Sequence, residues 1–285
     1  MLSKIESSQC TNKSTNLKVN KIKLDKPIVM GILNVTPDSF FDGRNDLTEV
    51  NIVRKVNAME YDGAKIIDVG GYSTRPGAAN VSEEEELKRV LPIVQLIKSN
   101  FKYLDISVDT FRSSVAQKCV EAGATIINDV SGGTLDQNMF NCIAHLKVPY
   151  VLMHIQGNPQ TMQENPTYNN VVEEVKNYFE EKINQLNKLG INDIILDPGF
   201  GFGKTVEHNY ELLNNLDAFK SFGLPILAGV SRKSMINKVL DTTPEEALNG
   251  TTVLNTIALT KGANILRVHD VREANECVKL IEKLS

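Results

Sequence analysis

Short apolar runs alternate with longer helical segments from residue 27 to the end of the chain. Eight runs of apolar and β-branched residues are typical of buried strands, at 28–33, 65–69, 104–108, 125–127, 150–153, 193–196, 225–228 and 264–268. Eight segments with helical spacing follow them, at 46–61, 81–99, 113–121, 136–146, 168–189, 206–219, 244–261 and 271–284. Eight strand–helix pairs without a linker-like break predict an α/β fold made of a single (β/α)8 barrel, a TIM barrel, rather than two open sheets.

Two regions are expected along the chain. Residues 27–285 form the predicted barrel domain, and residues 1–26 form a polar N-terminal tail. Within the tail, the segment 16–24 alternates apolar and polar residues, which is typical of a strand with one buried face. A short strand or hairpin there is therefore expected to close the bottom of the barrel.

Composition narrows the classes of partner. The net charge is −4 with no basic block, so no nucleic-acid partner is expected, because phosphate contacts need a clustered positive face. No apolar run is long enough to cross a bilayer and the first 20 residues lack a signal-peptide core, so no membrane contact and a cytoplasmic location are expected. The four cysteines, without a C-x-x-C pair, are expected to be reduced and mostly buried.

Polar side chains stand at the ends of nearly all the predicted strands. They are Asn34, Asp68, Asp109, Asn128, His154, Asp197, Ser231 with Lys233, and Arg267 with His269. Any one of them could have a structural role: Asn34 and Asp109 could form turns, and Arg267 could pair with Asp270. Because the C-terminal ends of barrel strands surround one crater, their joint occurrence predicts a binding or catalytic site there.

The residue types in this crater indicate its ligands. Carboxylate and amide groups of Asp109, Asn128 and Asp197 suit the N–H edge of a purine or pterin ring. Arg267 and His269 suit an anion, and Asn34 offers an oxygen to a hard cation, which together indicate a diphosphate with Mg²⁺. The run 199–204, GFGFGK, lacks the spacing of a phosphate-binding loop.

Seven segments together carry a family resemblance. They are GILNVTPDSF (31–40), GAKIIDVGGYSTRP (63–76), SVDT (107–110), IND (127–129), DPGFGFGK (197–204), SRKS (231–234) and RVHDV (267–271). From about residue 27 onward the chain resembles the dihydropteroate synthases, the sulfonamide targets of folate biosynthesis. The resemblance implies a transferase that condenses 6-hydroxymethyl-7,8-dihydropterin diphosphate with 4-aminobenzoate, with Mg²⁺, as a homodimer.

The resemblance also implies roles for individual residues. The pterin diphosphate site would comprise Asn34, Thr74, Asp109, Asn128, Met153, Asp197, Lys233, Arg267 and His269. The 4-aminobenzoate site would comprise Phe40, Arg75, Pro76, Phe202, Ser231 and Lys233. Asn34 would bind the metal, and the catalytic residues would be Asp109, Asp197, Lys233, Arg267 and His269.

An SN1-like route is expected, because the pterin ring delocalises the cation that develops as the C–O bond to diphosphate breaks. Two alternatives share the pterin edge: a methyltetrahydrofolate–corrinoid methyltransferase and a non-catalytic pterin-binding barrel. The methyltransferase would not need Arg267 and His269 aimed at a diphosphate. The binding barrel would be favoured by loss of one or more of Asn34, Lys233, Arg267 and His269, and all four are present. Tyr72, Phe41 and Arg44 depart from the family pattern, which bears on the first two loops. The loop at 73–77 carries no insertion, so sulfonamide sensitivity is expected.

Overall fold

Eight parallel strands form the wall of a barrel in the computed structural model, which describes residues 24–35, 48–72, 81–157 and 161–284. The strands are β1 (Ile28–Asn34), β2 (Ile66–Gly70), β3 (Asp105–Asp109), β4 (Ile126–Asp129), β5 (Tyr150–Met153), β6 (Ile194–Asp197), β7 (Leu227–Ala228) and β8 (Ile265–Val268). Their hydrogen-bonded order is β6-β5-β4-β3-β2-β1-β8-β7. A single parallel bridge between Leu196 and Ile226 joins the two ends, so the predicted barrel is confirmed.

Helices surround this wall. Among the described residues they are α1 (Glu49–Asp62), α2 (Glu83–Asn100), α3 (Ser113–Glu121), α4 (Met139–Leu146), α5 (Val171–Lys188), α6 (Val206–Asn214), α7 (Ser234–Leu240), α8 (Leu248–Thr260) and α9 (Val271–Ile281). Each of the eight predicted helical segments overlaps one of them. None of these helices combines the length and the apolar character that crossing a membrane requires.

The helical prediction is wrong in two places. The segment 206–219 is not one helix: α6 ends at Asn214 and a 3₁₀ helix, Leu216–Phe222, follows. Asn215 donates from Nδ2 to the carbonyl of Glu211 at 2.8 Å, a side-chain bond of the kind that competes with helix continuation. Helix α7 was not predicted, because its seven residues are too few to show a clear helical period.

The barrel interior changes from apolar to polar along β2, β4, β6 and β8. Its lower layer is a buried cluster of Leu24, Met30, Ile66, Ile126, Val151, Ile195, Leu227 and Ile265. Because side chains alternate along a strand, positions two residues further on face the same interior. Those positions are Asp68, Asn128, Met153, Asp197 and Arg267. The strand period therefore brings the polar residues to one end of the barrel, directly above an apolar floor.

A larger apolar core lies between the strands and the helices. It includes Leu33, Ile67 and Val69 from the strands and Val94 and Ile97 from α2, all fully buried or nearly so. Burial of each such side chain contributes about 1.5–3 kcal/mol. The strand wall that carries the polar residues is therefore braced from outside by close packing.

Two sequence predictions concern residues at the edge of the described chain. The possible strand or hairpin at 16–24 lies outside the described residues except for Leu24, which is buried against the barrel floor. Of the cysteines, Cys119 and Cys277 are free and buried, and Cys142 is free and half-buried. Cys10 lies outside the described residues.

Candidate active site

The structure brings most of the predicted site residues together at the C-terminal end of the barrel. Ten of them are described: Asn34, Asp109, Asn128, Met153, Asp197, Phe202, Ser231, Lys233, Arg267 and, just beyond β8, His269. Phe40, Thr74, Arg75 and Pro76 lie outside the described residues, as do Phe41 and Arg44.

Arg267 makes two ion pairs inside the barrel. Its Nε donates to Asp68 Oδ2 at 2.6 Å, and its Nη2 donates to Asp109 Oδ2 at 2.7 Å. Burial opposes the charge, but the two carboxylates outweigh it and raise the pKa of Arg267 above its usual range. The guanidinium therefore stays charged and is fixed in orientation at the centre of the site.

The carboxylate of Asp68 also orients Asn128. Its Nδ2 donates to Asp68 Oδ2 at 3.1 Å, and its Oδ1 is buried without a hydrogen-bond partner. Asp68 has a second orphan atom, Oδ1, and its side chain is fully buried. A buried polar group without a partner is costly. The Oδ1 atoms of Asn128 and Asp68 therefore indicate a place where a bound ligand would donate hydrogen bonds.

The two predicted catalytic carboxylates both have raised pKa values, with burial as the main cause. The pKa of Asp109 rises from 3.8 to about 7, because burial and the charge of Asp68 outweigh the attraction of Arg267. Burial also raises the pKa of Asp197, opposed by Lys233 and by the N–H of Gly199, which donates to Asp197 Oδ1 at 2.8 Å. Carboxylates perturbed by burial beside fixed cations are characteristic of functional sites.

Lys233 and Phe202 form a cation–aromatic contact at the mouth. The Lys233 Nζ lies 4.7 Å from the centre of the Phe202 ring and donates to the carbonyl of Phe200. Burial lowers the pKa of Lys233 to about 8, against the attraction of Asp197. Phe202 also packs on an apolar cluster of Val130, Met153, Ile155 and Met162. This apolar wall beside the acceptors suits the face of a flat heterocycle.

His269 is held by Ser231. Ser231 Oγ lies 3.0 Å from His269 Nδ1 and accepts the backbone N–H of His269 at 3.2 Å. Burial, together with the charge of Arg267, lowers the pKa of His269 to about 4, so its imidazole is neutral at pH 7. A neutral ring can donate a hydrogen bond to an anion but brings no positive charge.

The suggestion that Arg267 pairs with Asp270 is wrong. The partner of Asp270 is Arg232, which donates through Nε and Nη2 to its two carboxylate oxygens, both at 2.8 Å. Arg232 also donates from Nη1 to the carbonyls of Pro244 and Glu245. Arg232 thus anchors the segment between β7 and α8, which leaves Arg267 to the site.

Asn34 and Asp109 flank Gly70 at the top of the barrel. A Cβ atom at Gly70 would lie 3.4 Å from Asn34 Oδ1 and 3.6 Å from Asp109 Cβ, so glycine leaves this position open. The described residues contain no group of three or more His, Cys, Asp or Glu side chains able to bind a metal by themselves. Mg²⁺ commonly takes one or two protein oxygens and completes its shell with phosphate and water. A single oxygen from Asn34 fits a metal that arrives with a diphosphate.

Two contributors to the site were not singled out from the sequence. Asp68 was noted only as the start of a polar strand end, although a carboxylate inside an apolar strand run is itself a signal. Lys204, 3% exposed, lies in the loop after β6 with its Nζ 2.9 Å from His154 Nδ1. Backbone carbonyls of the glycine-rich loop surround the Lys204 Nζ, so this lysine binds the loop itself and does not form a phosphate-binding loop.

The model of the pterin binding enzyme family matches residues 30–269. The dihydropteroate synthase of Escherichia coli K12 is 48% identical over 263 residues, 92% of this chain and 93% of that protein, and the Haemophilus influenzae enzyme is 43% identical over 261 residues, 91% and 94%. The Yersinia pestis enzyme with a sulfonamide drug aligns with a TM-score of 0.88 at 42% identity, covering 92% of this chain and 96% of that one. The Xanthomonas albilineans enzyme with 7,8-dihydropteroate aligns with a TM-score of 0.84 at 35% identity, covering 94% and 98%. The chain therefore belongs to the dihydropteroate synthase family.

Proposed function

We propose that this chain condenses (7,8-dihydropterin-6-yl)methyl diphosphate with 4-aminobenzoate to give 7,8-dihydropteroate and diphosphate, a step of tetrahydrofolate biosynthesis. The observation that carries this proposal is the row of acceptors formed by Asp109, Asn128 and Asp197 around the fixed cation of Arg267. Such a row complements a ring with several N–H donors, while the cations face the anionic end of the substrate.

The pterin ring would lie against the apolar wall that includes Met153. Asp197 and Asp109 would accept from the amino and ring N–H groups, and the orphan Oδ1 of Asn128 would accept from another. Asp68 holds the Asn128 amide with its Nδ2 turned away from the ring, because a carboxylate must receive a donor. In this arrangement the side-chain oxygens of the protein accept hydrogen bonds and the N–H groups of the ring donate them.

The diphosphate would lie between Asn34, Arg267 and His269. Two N–H groups of Arg267 serve Asp68 and Asp109, which leaves three of its five for an anion. His269, being neutral, would donate a hydrogen bond from Nε2 while Ser231 holds its Nδ1. Asn34 would supply one oxygen to a Mg²⁺ ion. That ion, when bound, would neutralise charge that builds up on the departing diphosphate.

The reaction would be SN1-like. The bond between the methylene carbon and the diphosphate oxygen breaks with its electron pair going to the diphosphate, and the cation left on the pterin is stabilised by Asp109 and Asp197. The amine nitrogen of 4-aminobenzoate then forms the new C–N bond and releases one proton. Preorganised groups of this kind typically contribute about 10²- to 10³-fold each in rate.

The 4-aminobenzoate would lie at the outer side of the mouth. Phe202 would cover its ring, and Ser231 and Lys233 would line its carboxylate end, with Phe40, Arg75 and Pro76 contributed from the first two loops. Lys233, with its pKa of about 8, would keep most of its positive charge at neutral pH. That charge suits a carboxylate ligand.

A homodimer is proposed through the outer face of α7 and α8. Val239, Leu240, Val253 and Ile257 expose 36–56% of their surface on this face. On the inner side of α8, Gly250 lies so close to α7 that a Cβ atom would be 2.4 Å from Ile236. An apolar face on a tightly packed helix pair is characteristic of subunit contacts. A cytoplasmic location stays a prediction from the sequence.

The test is diphosphate release with mass detection of dihydropteroate, using purified protein, the dihydropterin diphosphate and Mg²⁺, with and without 4-aminobenzoate. Dihydropteroate and diphosphate in equal amounts are expected only when all components are present. Pterin binding without diphosphate release would overturn the proposal and favour a binding protein or a corrinoid methyltransferase. The SN1-like route is tested with an ¹⁸O label in the oxygen that joins the methylene carbon to the diphosphate. If that bond breaks reversibly, the label is expected to exchange into the non-bridging oxygens of the adjacent phosphate before product forms.

A further inference from the structure

Lys204 places a buried ammonium group inside the loop that follows β6. Its Nζ lies 3.0 Å from the carbonyl oxygens of both Gly199 and Phe202, and 2.9 Å from His154 Nδ1. The backbone carbonyl of His154 is a further acceptor at 3.4 Å. The three N–H bonds of the ammonium group are therefore used within the protein, and none is left for a ligand.

The loop is pressed against the end of β5 by its glycines. Gly199 has φ of +70°, and a Cβ atom there would lie 2.0 Å from the carbonyl oxygen of His154. Gly203 has φ of +61°, and its Cβ would lie 2.6 Å from the carbonyl oxygen of Gln156. Only glycine permits both the left-handed backbone and this approach. In this loop the carbonyls of Gly199 and Phe202 accept from Lys204, while the carbonyl of Phe200 accepts from Lys233.

His154 completes this cage as an acceptor. Burial lowers the pKa of Lys204 to about 7, against the attraction of Asp197, and acceptors on every side of its Nζ favour the charged form. The charged ammonium group has no lone pair, so His154 must present an unprotonated Nδ1 and carry its proton on Nε2. Burial and the charge of Lys204 lower the pKa of His154 to about 2, consistent with a neutral ring. The ring packs edge-on against Tyr178 with centroids 4.9 Å apart, and Tyr178 donates to the carbonyl of Met153 at 3.0 Å. His154 is therefore part of the support and not a separate catalytic group.

The same loop also holds two residues of the candidate site. The N–H of Gly199 donates to Asp197 Oδ1, and the carbonyl of Phe200 accepts from Lys233 Nζ. The ring of Phe202 lies beside that Nζ. Two lysines thus bind carbonyls of one short loop: Lys204, which is buried, binds those of Gly199 and Phe202, and Lys233, which is half-buried, binds that of Phe200.

We propose that Lys204 is a positioning residue: by binding the carbonyls of Gly199 and Phe202, it fixes the loop whose backbone orients Asp197 and Lys233 toward the substrates. The inference deepens the proposed function and rests on it for the identity of the ligands. The effect on the loop itself does not depend on that function. Lys204 touches no substrate, and it acts only through the backbone.

The test compares wild type with Lys204→Met, which keeps the length and removes all three donors. Hydrogen exchange in the ligand-free protein is expected to accelerate at the amides of 199–203. The KM for the pterin diphosphate is expected to rise about 10- to 100-fold, the size of a lost charged hydrogen bond. A purely structural defect would reduce the fraction of active enzyme, which lowers kcat and leaves KM unchanged.

Two further variants guard against a folding defect. Val94→Ala makes a cavity beneath α2, away from the loop, and is expected to lower the melting temperature while KM stays within about twofold of wild type. His154→Leu removes one acceptor of Lys204 and leaves both loop carbonyls. It should therefore accelerate hydrogen exchange at 199–203 and raise the KM, as Lys204→Met does, but by smaller factors. If Lys204→Met does not fold, this second variant carries the test.

Each result is decisive. Unchanged exchange at 199–203, or faster exchange with an unchanged KM, would overturn the positioning role. Wild-type protein that forms no dihydropteroate would instead overturn the proposed function, and in that case the exchange measurement alone judges whether Lys204 fixes the loop.

Discussion

Arg267 and Asp68 form an ion pair of 2.6 Å across the barrel interior, although 199 residues separate them in the chain. The pair joins β8 to β2, with β1 between them. Asp109 on β3 binds the same guanidinium. The permanently protonated guanidinium of Arg267 and two carboxylates therefore share a buried interior, and burial together with these charges sets the pKa of Asp109.

The pH dependence of stability follows from Asp109. Its folded-state pKa, about 7, lies above the ordinary value of 3.8, so the protonated group favours the folded state. That contribution is complete below pH 3.8 and is lost as the pH rises through about 7. Urea unfolding at pH 5, 6, 7 and 8 should therefore show wild type losing stability relative to Asp109→Asn. Parallel curves for the two proteins would contradict the raised pKa.

Asp68→Asn provides the matched control for this titration. The substitution keeps the shape of the side chain and an acceptor for Arg267, but removes the charge that raises the pKa of Asp109. In the Asp68→Asn background, the protein with Asp109 is again compared with the protein carrying Asp109→Asn. The pH at which the protein with Asp109 loses stability relative to that reference is expected to be lower than in wild type. A midpoint that stays near 7 would show that Asp68 does not act on Asp109.

Asp197→Asn should weaken pterin binding and slow turnover. The carboxylate is expected to accept from the ring and to stabilise its cation, and a hydrogen bond to a charged group is worth about 1.5–3 kcal/mol, or about 10- to 100-fold. Calorimetry would give the dissociation constant of the pterin diphosphate, and steady-state kinetics kcat/KM. Asp217→Asn, at an exposed position on the 3₁₀ helix, is the control. A near-normal kcat/KM in Asp197→Asn would count against the role.

Asn34→Ala should raise the Mg²⁺ concentration needed for half-maximal activity. In the proposed site Asn34 would offer the metal a single oxygen and the diphosphate would supply others, so a shift of about tenfold is expected rather than complete loss. Titration of Mg²⁺ at saturating substrates measures this shift. Chelation of the metal should stop wild-type turnover. An unchanged Mg²⁺ dependence would remove Asn34 from the metal site.

A sulfonamide should compete with 4-aminobenzoate. The aromatic ring of Phe202 and the neighbouring charge of Lys233 are proposed to bind either molecule, since both are aryl amines with an acidic group opposite. Phe202→Ala is expected to weaken the binding of 4-aminobenzoate and of the sulfonamide by a similar factor, about 10-fold, through lost stacking. Inhibition kinetics at varied 4-aminobenzoate concentrations would measure both the type of inhibition and the inhibition constant. Non-competitive inhibition would show that the drug binds elsewhere.

Val253→Glu should convert the proposed dimer to monomers. The substitution places a charge on the exposed apolar face of α8, where desolvation on assembly would be costly. Light scattering after size-exclusion chromatography measures the mass. Val50→Glu, at a more exposed valine of α1, is the control and should leave the mass unchanged. A wild-type monomer would rule out the dimer.

The sequence was sufficient for the strands and for most of the crater. Continuous apolar runs such as 150–153 predicted β5 with its observed bounds, and the polar residues at the ends of the predicted strands placed Asn128 and Asp197 in the crater. It could not show that Asp68, Asn128, Asp109 and Arg267 form one network, because residues far apart in the chain meet only when the barrel closes. Lys204 was read as part of a glycine-rich loop, since nothing local shows which carbonyls surround its ammonium group.

The barrel wall is not equally strong around its circumference. Between β6 and β7 the ladder consists of one bridge, Leu196 to Ile226, whereas β1 and β2 pair over five residue positions. Asp197 follows that bridge directly on one side, and β7 leads to Lys233 on the other. The seam with the fewest backbone hydrogen bonds thus runs between the two charged groups that are proposed to face the substrates. Of the eight strand junctions, this is the one whose separation would break the fewest ladder hydrogen bonds, so we expect local opening of the barrel to begin there.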